Sequence, residues 1–212
     1  MWASPIAKPA GHDTLTTVNP DDRFRYLLLA GFLVLVSIGI LHRVRAGTGE
    51  ALDRKQEGLF ILVALRLFGL TGLIGMVVYL LSPANLSFSA VPLPHWLRWV
   101  GVGLGCMTGF LLFWTLHTLD KNLTDTVVTR KGHTLVTTGP YRWVRHPFYV
   151  SAALIAITAS LISANAFFLV IGTLVLLLLG FRTRVEERNL LNRFGEDYRN
   201  YMQRTGRFFP RF

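Results

Sequence analysis

Apolar residues are concentrated in five long stretches separated by polar connections. The stretches cover residues 24–41, 59–81, 97–116, 148–164 and 166–181. An α-helix needs about 20 apolar residues to cross the ~30 Å hydrocarbon core of a bilayer, and each stretch is close to that length. The pattern therefore predicts an all-α integral membrane protein with about five transmembrane helices.

The last two stretches are predicted to form an antiparallel helical hairpin, because only the turn at 163–165 separates them. At about 1.5 Å of rise per residue, the climb from Pro147 to this turn matches the descent from it to Arg182. His146 and Arg182 are therefore expected at the same membrane depth, about one helix diameter apart. Charged residues follow Arg182, so two groups of ionisable side chains should meet there and form the functional site.

Composition supports this interpretation, since 51% of the 212 residues are hydrophobic and the mean hydropathy is +0.42, while 16% are charged. Lys and Arg number four after the first stretch, none after the second, five after the third, none after the fourth and eight in the C-terminal tail. This alternation predicts that the site and the C-terminus face the cytoplasm and that the N-terminus faces outward. No base-reading motif accompanies the net charge of +10, so no nucleic-acid partner is expected.

Polar and small residues inside the spans have two interpretations each. Arg66, in the second stretch, either lines a polar cavity or reaches toward the nearby basic face. The glycines mostly serve helix packing, and Gly101-x-Gly103-x-Gly105 lacks the preceding strand of a nucleotide-binding loop. Cys106 has neither a cysteine partner nor metal-ligand neighbours, so we expect a small buried residue and no metal site.

The residue before the fourth stretch is expected to lie on a bend. Pro147 lacks an N–H and suits the first position of a helix, and it disfavours a helical conformation for His146. The N–H groups of such a helix start attract an anion, for instance an amino-acid carboxylate. Arg142 and Arg145 add positive charge there, or else contact solvent and lipid headgroups. Nearby aromatic residues form an interfacial belt or stack on an adenine or a sulfonium cation; they are Tyr141, Trp143 and Tyr149.

Beyond the fifth stretch, Arg182 and Glu186 are four residues apart and share a helix face. Together with Glu187 they form either a solvated, salt-bridged helix end or a site for a ligand that carries both signs of charge. An amphipathic segment then extends to Tyr201 with an interruption at Gly195. It either folds back over the site or anchors the chain at the membrane surface.

Three motifs in this region resemble the signature of the isoprenylcysteine carboxyl methyltransferase family. They run from His133 to Tyr149, from Arg182 to Glu187 and from Phe194 to Tyr201. The resemblance covers about residues 117–212 and is specific, because the three motifs recur in order around one hairpin. It implies an S-adenosylmethionine pocket that cytosolic loops enclose against the last two spans.

By that resemblance, Arg182 and Glu186 are catalytic residues that face the methyl acceptor. The implied cofactor-binding residues are His133, Thr134, Leu135, Val136, Tyr141, His146, Pro147, Phe148, Tyr149 and Glu187. We expect one domain, with a polar tail at 1–23 that lacks signal-peptide features, three transmembrane helices at 24–116 and a catalytic half at 117–212.

The expected activity is methyl transfer to a lipophilic acceptor that enters sideways between spans, such as the carboxylate of a prenylated cysteine. The expected partners are the lipid bilayer and a lipophilic or lipidated substrate. A carboxylate needs no base and would be oriented by Arg182, whereas an amine or thiol would need Glu186 or Glu187 as a base. Two alternatives stay open: an NADPH-dependent membrane sterol or steroid reductase, and a non-catalytic membrane module of the same fold.

Overall fold

The computed structural model describes residues 20–45, 59–119 and 134–211, and within these ranges it contains helices and no strand. The α-helices are α1 (Pro20–Arg45), α2 (Leu59–Leu81), α3 (His95–Leu119), α4 (Pro147–Ser163), α5 (Ala166–Phe194) and α6 (Glu196–Arg204). Two short 3-10 helices occupy Pro83–Ser89 and Gly139–Arg142. The predicted all-α class is confirmed.

Four helices, α1, α2, α3 and α5, are long and apolar enough to cross a membrane. Helix α4 is apolar but has 17 residues, which gives about 26 Å and lies at the lower limit for a span. The structure thus contains four full-length spans and one shorter apolar helix, in line with the prediction of about five. Helices α1 and α3 start earlier and end later than predicted, because hydrophobicity marks only the apolar part of each helix.

The turn between α4 and α5 is held by polar contacts. Ala164 adopts a left-handed conformation with φ 51°, and Asn165 caps α5 by accepting from the Phe167 N–H at 3.0 Å. The Asn165 side chain also donates to the Leu86 carbonyl at 2.9 Å. This turn therefore lies beside the connection that follows α2, at the same end of the bundle.

Arg98 joins three helices at that end. Its side chain is buried, and Nε donates to the Ile162 carbonyl near the end of α4 at 3.0 Å. It also forms an ion pair with Asp21 at the start of α1, and its guanidinium lies 4.0 Å from the centroid of the Phe24 ring. The starts of α1 and α3 and the end of α4 are thus brought together.

At the opposite end of the bundle, the ends of α1 and α3 lie close together. His42, near the end of α1, makes edge contacts with Phe113 and His117 near the end of α3. A Cβ at Gly139 would lie 2.5 Å from the Thr118 hydroxyl oxygen, so the 3-10 helix that leads to α4 packs tightly under α3. The last turn of α1 is basic, and the 3-10 helix also ends in a basic residue, so positive charge is present at this end in the described residues.

The packing role predicted for the span glycines holds for some of them. A Cβ at Gly101 would lie 2.8 Å from the Leu161 Cβ, and one at Gly105 would lie 3.0 Å from Thr158, so both bring α3 close to α4. Gly103 faces open space. A Cβ at three other glycines that were predicted to pack would likewise meet no atom within 4 Å; they are Gly31, Gly39 and Gly69.

The exposure of two side chains, those of Cys106 and Arg66, tests two further predictions about the spans. Cys106 is exposed, so the prediction of a buried residue is wrong; it lies on the side of α3 away from the face that packs on α4. Arg66 is exposed on α2, which favours a side chain that reaches along the helix surface over one that lines an internal cavity.

Candidate functional site

Helix α5 extends beyond the part that a membrane core would enclose. Its 29 residues give a length of about 43 Å, against ~30 Å of hydrocarbon. The apolar part ends near Phe181, and the remaining turns carry Arg182, Glu186 and Glu187. This polar extension lies beside the start of α4, because α4 and α5 pack as an antiparallel pair.

The start of α4 has the predicted local geometry. Pro147 is the first helical residue, and His146 occupies the preceding position with φ −125° and ψ 61°, outside the helical region, without a capping hydrogen bond from its side chain. The backbone N–H groups of Arg145, His146 and Tyr149 all donate to carbonyl groups of the chain. These three donors are therefore already engaged within the chain. Anion binding at this helix start stays a prediction.

The bend is in contact with the acidic end of α5, as the lengths of the two helices predict. His146 Nε2 lies 3.4 Å from Glu187 Oε1, and His146 Nδ1 lies 3.8 Å from Glu186 Oε2. The Tyr149 hydroxyl donates to Glu186 Oε2 at 2.8 Å. The rings of Tyr149 and His146 stack with 5.3 Å between centroids. A carboxylate beside aromatic rings forms surroundings that suit a cationic ligand group.

The two adjacent carboxylates differ in their surroundings. The side chain of Glu187 is 7% exposed, whereas that of Glu186 is 29% exposed. Arg145 Nε donates to Glu187 Oε1 at 2.9 Å, and Arg207 donates to both carboxylate oxygens, through Nε at 3.2 Å and through Nη2. A buried carboxylate is costly unless it is paired, and these two guanidinium groups supply the pairing. The hydrogen bond to Glu187 raises the pKa of Arg207 above its ordinary value.

Arg207 reaches the site on Thr205–Phe208, a segment that we call the C-terminal strap. Gly206 of the strap pairs with Val144, two residues before His146, through a single parallel β-bridge. The Arg145 N–H donates to the Gly206 carbonyl at 2.9 Å, and the His146 N–H donates to the Arg207 carbonyl at 3.1 Å. The strap therefore covers the bend through its main chain as well as through the Arg207 side chain.

Side chains reinforce this cover. Arg145 Nη1 donates to the Met202 carbonyl in the last turn of α6 at 3.2 Å and to the Thr205 carbonyl at the start of the strap. The Phe208 ring lies 5.9 Å from the His146 ring. A Cβ at Gly206 would lie 1.6 Å from the Phe209 carbonyl oxygen, so the chain path at this point requires glycine.

Helix α6 packs back against the bend, which is the first of the two alternatives predicted for this segment. The buried Tyr201 donates its hydroxyl to the Tyr141 carbonyl at 2.6 Å. Burial raises the pKa of Tyr201 to about 12, against the opposing effect of the Arg145 charge. Burial also raises the pKa of Tyr141 well above its ordinary value, and the negative charge of Glu186 adds to this effect.

The cofactor segment predicted at 133–136 is described in part. His133 lies outside the described residues. Thr134 is exposed, and Leu135 and Val136 are half-buried in an irregular segment that leads to Gly139, where φ is +57°. The binding roles assigned to these residues by resemblance stay predictions.

Two further predicted residues lie near the contact between α4 and α5. Phe148 is 43% exposed, and its ring lies 6.1 Å from the ring of Tyr149. Arg182 is half-buried on α5, one turn before Glu186. Their proposed contacts with a cofactor and an acceptor are likewise predictions.

Sequence reasoning does not single out Arg207, because it is one of eight basic residues in the tail and no spacing links it to Glu187, 20 positions earlier. Arg145 carries a clearer signal, since it directly precedes His146. The structure places its side chain in contact with Glu187 and with the Met202 carbonyl of α6 rather than in solvent.

Fold and site together define a multi-pass helical membrane protein with a buried charge network where two neighbouring helix ends meet. Residues 101–192 match the model of the isoprenylcysteine carboxyl methyltransferase (ICMT) family. The matched region contains α4, most of α5 and the bend, which agrees with the resemblance carried by the sequence motifs.

Several curated relatives match between 39% and 55% of the chain. Protein-S-isoprenylcysteine O-methyltransferase of Saccharomyces cerevisiae is 36% identical over 114 residues, which are 50% of this chain and 48% of the relative. The protein of the same name from Tribolium castaneum is 35% identical over 121 residues, 55% of this chain and 42% of the relative. The cobalt-zinc-cadmium resistance protein CzcN of Cupriavidus metallidurans is 39% identical over 93 residues, 39% of this chain and 38% of the relative. The chain thus spans less than half the length of each of these relatives.

A solved structure of the eukaryotic intramembrane Ras methyltransferase ICMT resembles the whole bundle. Its TM-score is 0.54 at 22% sequence identity, and the match covers 92% of this chain and 69% of that one. At this level of identity the likeness establishes a shared fold, and it includes the N-terminal helices that carry no recognisable motif.

Proposed function

We propose that this protein is a membrane-embedded methyltransferase that transfers a methyl group from S-adenosylmethionine to a lipophilic acceptor. The observation that carries the proposal is the contact between the His146 bend and the Glu186–Glu187 pair within the region of the family match. The names of the relatives from S. cerevisiae and T. castaneum, both O-methyltransferases, support the same reaction class.

The residues of this corner fit S-adenosylmethionine chemically. That molecule combines cationic groups, a carboxylate and an adenine ring. Glu186 is partly exposed and lies against the stacked rings of His146 and Tyr149, which suits a sulfonium or an ammonium group. We propose that these three residues, with the segment 133–136 and Phe148, hold the cofactor.

The bound cofactor would supply an already activated methyl group, so the chain has to position the acceptor and exclude water. A carboxylate acceptor is ionised at neutral pH and requires no proton transfer. Arg182 would orient it through a two-pronged ion pair. For an amine or thiol acceptor, Glu186 is the better candidate base, because Glu187 is fully engaged with Arg145 and Arg207.

The acceptor is proposed to be lipophilic and to approach from the bilayer. The site lies at the end of two apolar helices, and Phe148 is exposed beside it. The carboxylate of a prenylated cysteine is the acceptor class that the names of the O-methyltransferase relatives suggest. The site is proposed to face the cytoplasm, because the basic connections lead into this end of the bundle.

Ligand titration tests the proposal against its two alternatives. Purified protein in detergent should bind S-adenosylhomocysteine, and it should not bind NADPH. Binding of NADPH alone would favour a reductase, and a folded chain that binds neither ligand would favour a non-catalytic module. Membranes incubated with methyl-labelled S-adenosylmethionine should then yield a labelled lipophilic product, and its chemical identity defines the acceptor.

Two substitutions test the assignment of the site. Arg182→Ala and Glu186→Ala should each lower the rate of methyl transfer by about tenfold or more, because each removes a group that orients or balances a reacting partner. Arg184→Ala and Arg188→Ala are matched controls, since both side chains are exposed on the same helix turns. Unchanged turnover in both test variants would remove these residues from the site.

A further inference from the structure

The adjacent residues Glu186 and Glu187 have unequal tasks. Glu186 is the more exposed carboxylate and accepts from the Tyr149 hydroxyl. Glu187 is buried, and its two oxygens accept from Arg145 and Arg207. A carboxylate that already accepts hydrogen bonds from two guanidinium groups is poorly suited to bind a ligand. We therefore assign Glu187 a structural role, which is to link the segments that carry these two arginines.

The connection is between α5 and the C-terminal strap. Arg207 contributes the strap's charged contact to α5, while its neighbouring main chain pairs with Arg145 and His146. These two residues lie at the bend that faces Glu186. A displacement of the strap would therefore alter the conformation of the bend.

We propose that Arg207 is a positioning residue that acts through Glu187 to hold the C-terminal strap closed over the His146 bend, and that closure sets the affinity of the site for the methyl donor. This inference rests on the proposed function. Arg207 is suited to the task because its side chain is 41% exposed, so its contact with Glu187 can break without bringing a buried arginine into solvent. Arg145 is 9% exposed and donates to the Met202 carbonyl of α6 as well as to the Thr205 carbonyl at the start of the strap, so it is part of the fixed structure from which the strap extends.

The first test compares Arg207→Ala with the unaltered chain in binding and turnover. If removal of the contact leaves the strap closed about one-tenth of the time, the apparent affinity for S-adenosylhomocysteine should fall about tenfold. The KM for S-adenosylmethionine should rise by a similar factor, while kcat at saturating donor and the KM for the acceptor stay unchanged. Arg207→Lys should recover part of the affinity, and Arg211→Ala, an exposed arginine farther along the tail, is the matched control.

The second test measures the strap without any ligand. Hydrogen exchange should become faster in Arg207→Ala at the amides of Arg145, His146 and Gly206, whose N–H groups bond across the strap and the bend. Exchange in the middle of α4 should stay unchanged. Saturating S-adenosylhomocysteine should slow the strap amides again, because the ligand favours the closed state.

A double-mutant cycle tests whether Arg207 acts through Glu187. Glu187→Gln should lower the affinity on its own, and adding Arg207→Ala should then cost much less than tenfold, because the contact is already lost. Independent effects that multiply would overturn the coupling. A lower melting temperature for Arg207→Ala with unchanged affinity, KM and exchange would reduce Arg207 to a structural residue and overturn the proposal.

The outcomes separate this inference from the proposed function. If the unaltered chain binds no S-adenosylhomocysteine, the proposed function fails, while faster exchange in Arg207→Ala would still support the closing contact. If the unaltered chain binds the ligand and Arg207→Ala changes neither affinity nor exchange, the methyltransferase proposal stands and the positioning role fails.

Discussion

At the scale of single residues, two tyrosines on α6 show that burial and hydrogen bonding are separate contributions. Tyr198 and Tyr201 are both buried, with 1% and 5% exposed. The Tyr201 hydroxyl donates to the Tyr141 carbonyl, whereas the buried Tyr198 hydroxyl has no hydrogen-bond partner among the described residues. Burial raises the pKa of Tyr198. Its ring stabilises the packing of α6, while its hydroxyl carries an uncompensated desolvation cost.

We predict opposite effects for the two substitutions that remove these hydroxyl groups. Tyr201→Phe should lower the free energy of unfolding by about 1–2 kcal/mol, because the partly buried Tyr141 carbonyl loses its donor. Tyr198→Phe should leave it unchanged or raise it by up to about 1 kcal/mol, because an unpaired polar atom is removed. Denaturant unfolding in detergent measures both, and each variant is the control for the other. An equal loss in Tyr198→Phe would mean that its hydroxyl has a partner.

The same scale shows where sequence reasoning reaches its limit. The contact of His146 with the acidic end of α5 follows from counting residues along a hairpin, so it was predictable. The partners of Glu187 were not, since Arg145 and Arg207 lie 42 and 20 positions away and their approach depends on the path of the strap. The prediction that Cys106 is buried was wrong for a related reason, because residue type alone does not determine which face of a helix points outward.

At the scale of elements, apolar runs predict helices well and helix ends less well. The bounds of α2 agree with its apolar run, and the turn between α4 and α5 falls where a short polar interruption predicts it. Helix α1 begins at Pro20 rather than Phe24, since polar residues such as Asp21 continue a helix beyond the membrane core. The pairing of α3 with α4 is set by small residues whose orientation the run of apolar residues does not reveal.

We therefore predict that two neighbouring glycines of α3 respond differently to the same change. Gly101→Ala should lower the free energy of unfolding by about 1–3 kcal/mol, because the new Cβ would overlap Leu161 on α4. Gly103→Ala should be neutral or stabilising by up to about 1 kcal/mol, because it meets open space and alanine favours a helix. Thermal unfolding in one detergent compares them. An unchanged free energy of unfolding in Gly101→Ala would contradict the close packing of α3 on α4 at Gly101.

At the scale of the whole molecule, charge and topology agree. The charge-free connection after α2 lies beside the turn between α4 and α5, through Asn165 and Leu86. The basic last turn of α1 lies at the other end, where the bend meets Glu187. A bundle whose ends differ this strongly in Lys and Arg content is expected to insert in one orientation, with the basic end in the cytoplasm.

Labelling of single cysteines tests the orientation. In a Cys106→Ser background, Phe88→Cys and Phe209→Cys place thiols at exposed positions, 78% and 82% exposed, at opposite ends of the bundle. In intact cells or right-side-out vesicles, a membrane-impermeant maleimide should label position 88 and spare position 209, and inverted vesicles should reverse the result. Permeabilised membranes, in which both must react, are the control. Labelling of both positions from one side would contradict the topology, and the reverse pattern would place the proposed site outside the cytoplasm, away from the side on which its nucleoside-containing cofactor is expected.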